Sequence, residues 1–218
     1  MDHLGTAPER SEEAPREPAL RASAVVLAAG LSRRMGPENK LLLPVDGEPM
    51  IRRGVGRVLA VGLVEVVVVL GHAADEVSRA LAGLGVRTVL NDDYASGQVS
   101  SVRAGLRGLS EPVDAVMICL GDQPLLDSSD LRAVLAAYAA RPHGSILVPF
   151  RGERRGNPVV IDWQSARETL EHGTHFGCRH FIERHPERVY RWSAPSDGYV
   201  RDVDEPADYR ALVGGSGS

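Results

Sequence analysis

The chain has 218 residues, a formal net charge of −4 and 43% hydrophobic residues, a size that suits one α/β domain, or two small ones, folding on its own apolar core. Its two cysteines, Cys119 and Cys178, exclude a disulfide scaffold and make a reducing cytoplasm the default compartment. Slight acidity argues against nucleic acid as the main partner, and no apolar run is long enough to cross a bilayer.

Residues 1–21 read as a disordered polar tail, with Pro8, Pro15 and Pro18 among glutamates and no apolar run that would make a signal peptide or anchor. A folded region is expected over 22–212, and the Gly/Ser-rich residues 213–218 read as a flexible end. Within the folded region, strands and helices alternate. The short apolar run 24–28 predicts a buried strand and 50–62 a helix. The β-branched run 65–70, ended by Gly71, predicts a parallel strand covered on both faces. A helix over 75–84, a strand over 86–90 and a helix over 98–109 follow, then a buried strand over 115–120 closed by Gly121. Residues 128–140 predict a helix, with Asp127, Ser128 or Ser129 as its N-cap. Beyond it lie strands near 145–149 and 158–161, helices near 163–171 and 177–184, short strands near 189–192 and 200–203, and a last helix over 206–212. This order implies a Rossmann-like, doubly wound, mostly parallel sheet in a three-layer α/β/α arrangement. Ligands then bind beyond the carboxyl ends of the strands, in the loops after Ala28, Leu70, Leu90 and Leu120.

The loop after the first strand, residues 27–40, reads LAAGLSRRMGPENK. Its small residues let backbone N–H groups approach a polyphosphate, and its cations can neutralise one. It also contains Lys40, the one lysine beside 24 arginines. Codon bias explains an arginine excess, but a lone lysine raises the question of whether a compact ammonium is required there. A dinucleotide-binding dehydrogenase is disfavoured because the G-x-G-x-x-G pattern is absent, and a P-loop because Pro37 follows Gly36. The histidines fall into no zinc-binding pattern, and Cys119 reads as a core residue.

The set L-A-A-G-x-S-x-R-M-G, N-K-L-L-L-P and G-x-P-M, followed by residues 91–106, Gly121-Asp122-Gln123-Pro124, Arg155-Gly156-Asn157-Pro158 and residues 202–209, resembles the nucleotidyltransferases typified by molybdenum cofactor cytidylyltransferase. The resemblance covers residues 23–212 and implies the nucleotidyltransferase (GT-A-like) form of the α/β fold. It implies transfer of CMP from CTP to the terminal phosphate of a molybdopterin-type cofactor, with pyrophosphate leaving and Mg²⁺ required, Mn²⁺ serving as a substitute. The Ala29–Gly36 loop would then wrap the triphosphate, with Leu27, Ala28, Ala29, Gly30, Ser32, Met35 and Gly36 among the nucleotide contacts. Arg34 would bind the β/γ-phosphates and Lys40 the α-phosphate, with Arg33 at a variable position. Gly97, Ser100 and Ser101 would lie near base and ribose, and Gly121 beside the phosphates. Asp122 and Asp204 would hold the metal, with Asp202 the competitor of Asp204; Arg34, Lys40 and Asp122 form the implied catalytic set. Ala29 tilts the base choice to CTP, because relatives using GTP tend to read L-A-G-G.

The acceptor side departs from the pattern. Gly156-Asn157-Pro158 stands where G-H-P is common, and residues 173–179 lack the aspartate of a G-D-x-G-A-R motif. Gln123, Pro124, Asn157 and Arg179 are the implied acceptor contacts, and Arg151, Arg154 and Arg155 are further cations for an anionic acceptor. Two other readings stand beside the first: the same chemistry on a sugar phosphate or other phosphorylated metabolite, and a non-catalytic nucleotide-binding or cofactor-delivery module. The implied partners are a nucleoside triphosphate, the phosphorylated acceptor and, transiently, a molybdoenzyme or its chaperone.

Overall fold

The computed structural model describes residues 20–36, 38–171 and 178–214. The two expected tails lie almost wholly outside these residues, as does most of the segment 173–179. Leu20 and Arg21, assigned to the first tail, are described. Leu20 packs against the core, and the Arg21 guanidinium pairs with Glu111 at 3.2 Å.

In chain order the elements are β1 (Ala22–Ala28), β2 (Pro44–Val45), β3 (Glu48–Pro49), α1 (Met50–Leu59), β4 (Val66–Leu70), α2 (Ala74–Ala80), β5 (Arg87–Leu90), α3 (Gln98–Gly108), β6 (Ala115–Leu120) and α4 (Ser128–Ala139). They continue as β7 (Ile146–Arg151), β8 (Arg154–Arg155), β9 (Val159–Asp162), α5 (Trp163–Glu171), α6 (Cys178–Arg184), β10 (Val189–Ser193) and α7 (Pro206–Gly214). Seven strands run in the order β10-β7-β9-β6-β1-β4-β5, and β8 pairs with β7 to make an eight-stranded sheet. β1 is parallel to β4 and β6, and β4 to β5, as the doubly wound reading requires. β9 runs antiparallel to both β6 and β7, so the sheet is mixed on that side.

Two apolar layers cover the sheet because successive side chains of a strand face opposite ways. Ala24 and Val26 of β1 join Val66, Val68 and Met117 in one layer, while Val25 joins Val69, Val116 and Ile118 in the other. Both layers are capped by helices, which is why β1, β4 and β6 read as unbroken apolar runs. α4 is started by Asp127, whose carboxylate accepts from the Ser129 and Asp130 N–H groups, while Asp130 bonds back to the Asp127 N–H.

Two local features differ from the sequence reading. A short hairpin joins β2 to β3 through Asp46 (φ 50°) and Gly47 (φ 88°), a left-handed pair of the type that Asp-Gly favours. Residues 200–203, expected as a strand, join no ladder. A 3-10 turn spans Asp197–Val200, and the backbone from Val200 on is held instead by the Arg154 side chain of β8 and the turn after β6. The Val200 carbonyl accepts from Arg154, and the Val203 N–H donates to the Asp122 carbonyl at 2.9 Å. This extended strap crosses the carboxyl ends of the central strands.

The chain passes from β1 to β4 and β5 on one side, then returns to β6 on the other. The strand order therefore reverses at β1, opening a crevice beyond the ends of β1 and β6. α3 lies very close over β1 and β4: a Cβ on Gly105 would stand 2.2 Å from Val25 Cγ1 and 2.9 Å from Val69 Cγ2. Gly105→Val should therefore cost about 3 kcal/mol, the upper part of the usual range for overpacking, measured as a lowered urea midpoint at unchanged slope.

Candidate functional site

The loop leaving β1 turns sharply. Ser32 adopts φ 50° and Gly36 φ 80°, bracketing a single 3-10 turn, Arg33–Met35. The Ser32 hydroxyl donates to Asn39 Oδ1 at 3.4 Å and accepts the Lys40 N–H at 3.3 Å. Asn39 Oδ1 also accepts the Leu41 N–H, capping the short turn Lys40–Leu42. These bonds fix the backbone of Lys40 where its side chain, although 9% exposed as a residue, reaches the mouth of the crevice.

Three segments bring charge together there. Lys40 Nζ donates to Asp122 Oδ2 at 2.5 Å and to Asp204 Oδ1 at 2.9 Å. Arg34 Nη2 donates to Asp204 Oδ2 at 2.7 Å. Asp122 leaves the end of β6, and Asp204 lies on the strap. Burial by itself would lower the Lys40 pKa, but the Asp122 and Asp204 carboxylates outweigh it and hold the ammonium above its ordinary value. Burial raises the Asp122 carboxyl, and Asp202 and Asp204 add to that rise against the pull of Lys40. Asp204 is opposite in sign: its burial is outweighed by Lys40 and Arg34, and its pKa falls.

Asp202 completes the cluster. One carboxylate oxygen each from Asp122, Asp202 and Asp204 lies within 4.8 Å of the other two, a grouping found among the described residues. Asp122 Oδ1 is buried and has no hydrogen-bond partner among the described residues. A desolvated carboxylate oxygen without a donor is costly, and a cation offsets that cost. An all-oxygen donor set of this kind suits Mg²⁺ or Mn²⁺ better than zinc. Asp202 and Asp204, weighed in the sequence as competitors, thus both face Asp122.

A cleft of about 910 Å³ opens from the cluster. Leu27, Ala29, Gly30, Ser32, Arg33 and Arg34 line one wall. Gly97 and Ser101 line it at the start of α3, and Asn157 and Arg179 line it as well. Apart from the cluster itself and Arg155, the other expected residues do not line it. Ala28 and Met35 are buried. The Ser100 hydroxyl bonds to the Asp93 and Gly97 carbonyls, and the Gly121 N–H donates to the Leu27 carbonyl. The Pro124 carbonyl accepts from Arg57, and Gln123 is 7% exposed with its amide turned onto the Tyr199 carbonyl at 3.2 Å. Gln123 and Pro124 are absent from the cleft wall, whereas Arg155 is on it; Arg151 pairs with Asp197 at 2.9 Å and Arg154 with the Val200 carbonyl.

Sequence reasoning passed over Tyr94, Phe150 and Ile182, which also line the cleft. For Tyr94 a signal existed in Gly71. A Cβ at that glycine would meet the Ala29 and Tyr94 Cβ atoms at 2.7 Å, so these two loops close on each other only over a glycine. Asn91 fixes the neighbouring helix start, its amide donating to the Ser100 and Ser101 hydroxyls at 2.9 and 3.0 Å.

Comparison with known proteins agrees with this geometry. A family model described as the MobA-like NTP transferase domain matches residues 24–189. Nicotine blue oxidoreductase of Paenarthrobacter nicotinovorans is 33% identical over 187 residues, which is 83% of this chain and 90% of that protein. The bifunctional protein GlmU of Sorangium cellulosum is 39% identical over 122 residues, 53% of this chain but only 26% of that protein. Among solved structures, a nucleotidyl transferase from Methanothermobacter thermautotroptrophicus superposes with a TM-score of 0.76 at 29% identity, over 89% of this chain and 97% of that one. Rv0371c of Mycobacterium tuberculosis H37Rv gives a TM-score of 0.74 at 27% identity, over 91% and 100%. With the family match running from β1 to the start of β10 and the charged cluster at the crevice, the chain belongs to the MobA-like NTP transferase family of nucleotidyltransferases.

Proposed function

We propose that the protein transfers CMP from CTP to the terminal phosphate of a molybdopterin-type cofactor, releasing pyrophosphate, with Mg²⁺ as the working cation and Mn²⁺ as a substitute. The observation that carries this reading is the Lys40–Asp122–Asp204 cluster at the mouth of a glycine-bearing loop. Attack of the acceptor phosphate oxygen on the α-phosphorus, in line with departing pyrophosphate, demands positioning and charge neutralisation rather than a covalent enzyme intermediate. The Ala29–Gly36 turn supplies backbone donors for the triphosphate, Arg34 a forked cation for its outer phosphates, and Lys40 a point charge for the α-phosphate as negative charge grows. Asp122, Asp202 and Asp204 would hold the cation, which when bound neutralises triphosphate charge. Asn157, Arg155 and Arg179, which line the cleft, are the acceptor contacts in this reading. The cytoplasm is the compartment that suits it, and no described helix is long and apolar enough to cross a membrane.

The match to GlmU supports a second reading, in which the nucleotidyl transfer is the same and the acceptor is a sugar phosphate. The decisive assay measures pyrophosphate release with each of the four nucleoside triphosphates and Mg²⁺, against molybdopterin and against sugar phosphates. Release with CTP and molybdopterin is expected; release with sugar phosphates alone would move the acceptor, and no release from any pair would remove the transferase reading.

Lys40→Arg keeps a positive charge but moves it and spreads it over a plane, so kcat should fall about 10²–10³-fold with little change in folded stability. Lys40→Met should also lose turnover, yet bind Mn²⁺ more tightly without nucleotide, because it removes the ammonium that now competes for the carboxylates; electron paramagnetic resonance of free Mn²⁺ reads this directly.

A further inference from the structure

The sequence placed Gln123 among the acceptor contacts, but its side chain faces away from the cleft. We infer that Gln123 is a positioning residue: by holding the Tyr199 carbonyl it fixes the strap that presents Asp202 and Asp204 to Asp122. The inference rests on the cation reading of the three aspartates.

Gln123 directly follows Asp122, so one loop supplies both a carboxylate of the cluster and the anchor for the other two. Its Nε2 donates to the Tyr199 carbonyl at 3.2 Å within a buried contact. The same carbonyl oxygen accepts the Asn157 N–H at 2.8 Å, so two donors converge on it. Gly156 permits the approach, since a Cβ there would lie 2.4 Å from that oxygen. The Tyr199 side chain is fully buried, its hydroxyl donates to the Asp130 carbonyl at 3.0 Å, and its ring meets the Trp192 ring edge-on at 5.4 Å. Four residues later the Val203 N–H closes onto the Asp122 carbonyl at 2.9 Å. Asp202 therefore lies between two anchors, both tied to the Asp122–Gln123 dipeptide, and Asp204 lies one residue past the second.

A carboxylate on a strap held at one point must be ordered when a cation arrives, and that ordering subtracts from affinity. Held at both points, the strap presents its carboxylates in advance. Gln123 and Asn157 thus converge on the Tyr199 carbonyl, for which Gly156 leaves room, while the Asp122 carbonyl holds the strap at Val203.

The test is Mn²⁺ binding to the nucleotide-free full-length protein by electron paramagnetic resonance, well below the unfolding temperature, beside separate KM values for nucleotide and acceptor. Gln123→Met keeps length and apolar volume while removing the donor. It should weaken Mn²⁺ about tenfold, the effect of one lost buried hydrogen bond, and leave the acceptor KM within twofold. Tyr199→Phe, which releases the same strap at the Asp130 bond, should weaken Mn²⁺ in the same direction. A purely structural role would lower the unfolding temperature of both variants without moving Mn²⁺ affinity, and that result overturns the inference. So does a raised acceptor KM at unchanged Mn²⁺ binding, which would return Gln123 to the acceptor. Asp202→Asn serves as the benchmark. If it weakens Mn²⁺ while Gln123→Met does not, the inference alone fails; if the parent binds no Mn²⁺, or Asp202→Asn binds it as tightly as the parent, the cation reading fails and takes the inference with it.

Discussion

One ammonium held between two carboxylates organises the crevice of this protein. Lys40 meets Asp122 and Asp204 from a third segment of chain, with Arg34 on the outer oxygen of Asp204. Gathering three acids and two bases in a half-buried place is unfavourable unless the geometry compensates for lost hydration. The sheet supplies that geometry. β1 and β6 are adjacent and parallel, so the loop that leads to Lys40 and the turn bearing Asp122 emerge side by side at the same end. Opposed shifts follow within one cluster: burial raises Asp122, while Lys40 and Arg34 pull Asp204 down. Carboxyl groups whose environments push them apart are a common mark of sites that handle charge.

Much of this was legible in the residues, for physical reasons. Strands covered on both faces must be apolar throughout, so β1, β4 and β6 announce themselves as short unbroken runs. Asp127 was one of three candidate caps, and its own bonds single it out. Strand direction, by contrast, is not written in composition. Val159–Asp162 reads equally well either way, and pairing alone shows it antiparallel. The strap over 200–203 carries β-branched residues but spends its hydrogen bonds on the Arg154 side chain and the Asp122 carbonyl, a choice that only tertiary neighbours determine. Asp46-Gly47 was a hairpin signal present in the sequence and passed over.

The site shows the same division. The lone lysine pointed to the cluster because its type was rare and its loop was rich in small and basic residues. Asp202 and Asp204 were alternatives on the page and are partners in space, since one residue between them lets an extended strap turn both toward Asp122. Gln123 and Pro124 were implied as acceptor contacts by the resemblance, but neighbours on a tight turn point in different directions. Similar chains carry names from transferases to an oxidoreductase, so chemistry in this family is read from the side chains at the crevice rather than from the sheet beneath them.

The strap also ties completion of the carboxylate cluster to the order in which the chain is made. β1 through β10 complete the sheet before Asp202 and Asp204 appear, so a nascent polypeptide already folded around its core exposes Lys40 and Asp122 without their partners. The crevice of such a chain carries one acid rather than three and has little to hold a doubly charged ion. In the proposed reading, a cation would meet its full set of carboxylates only once the strap has left the ribosome and crossed over the strand ends.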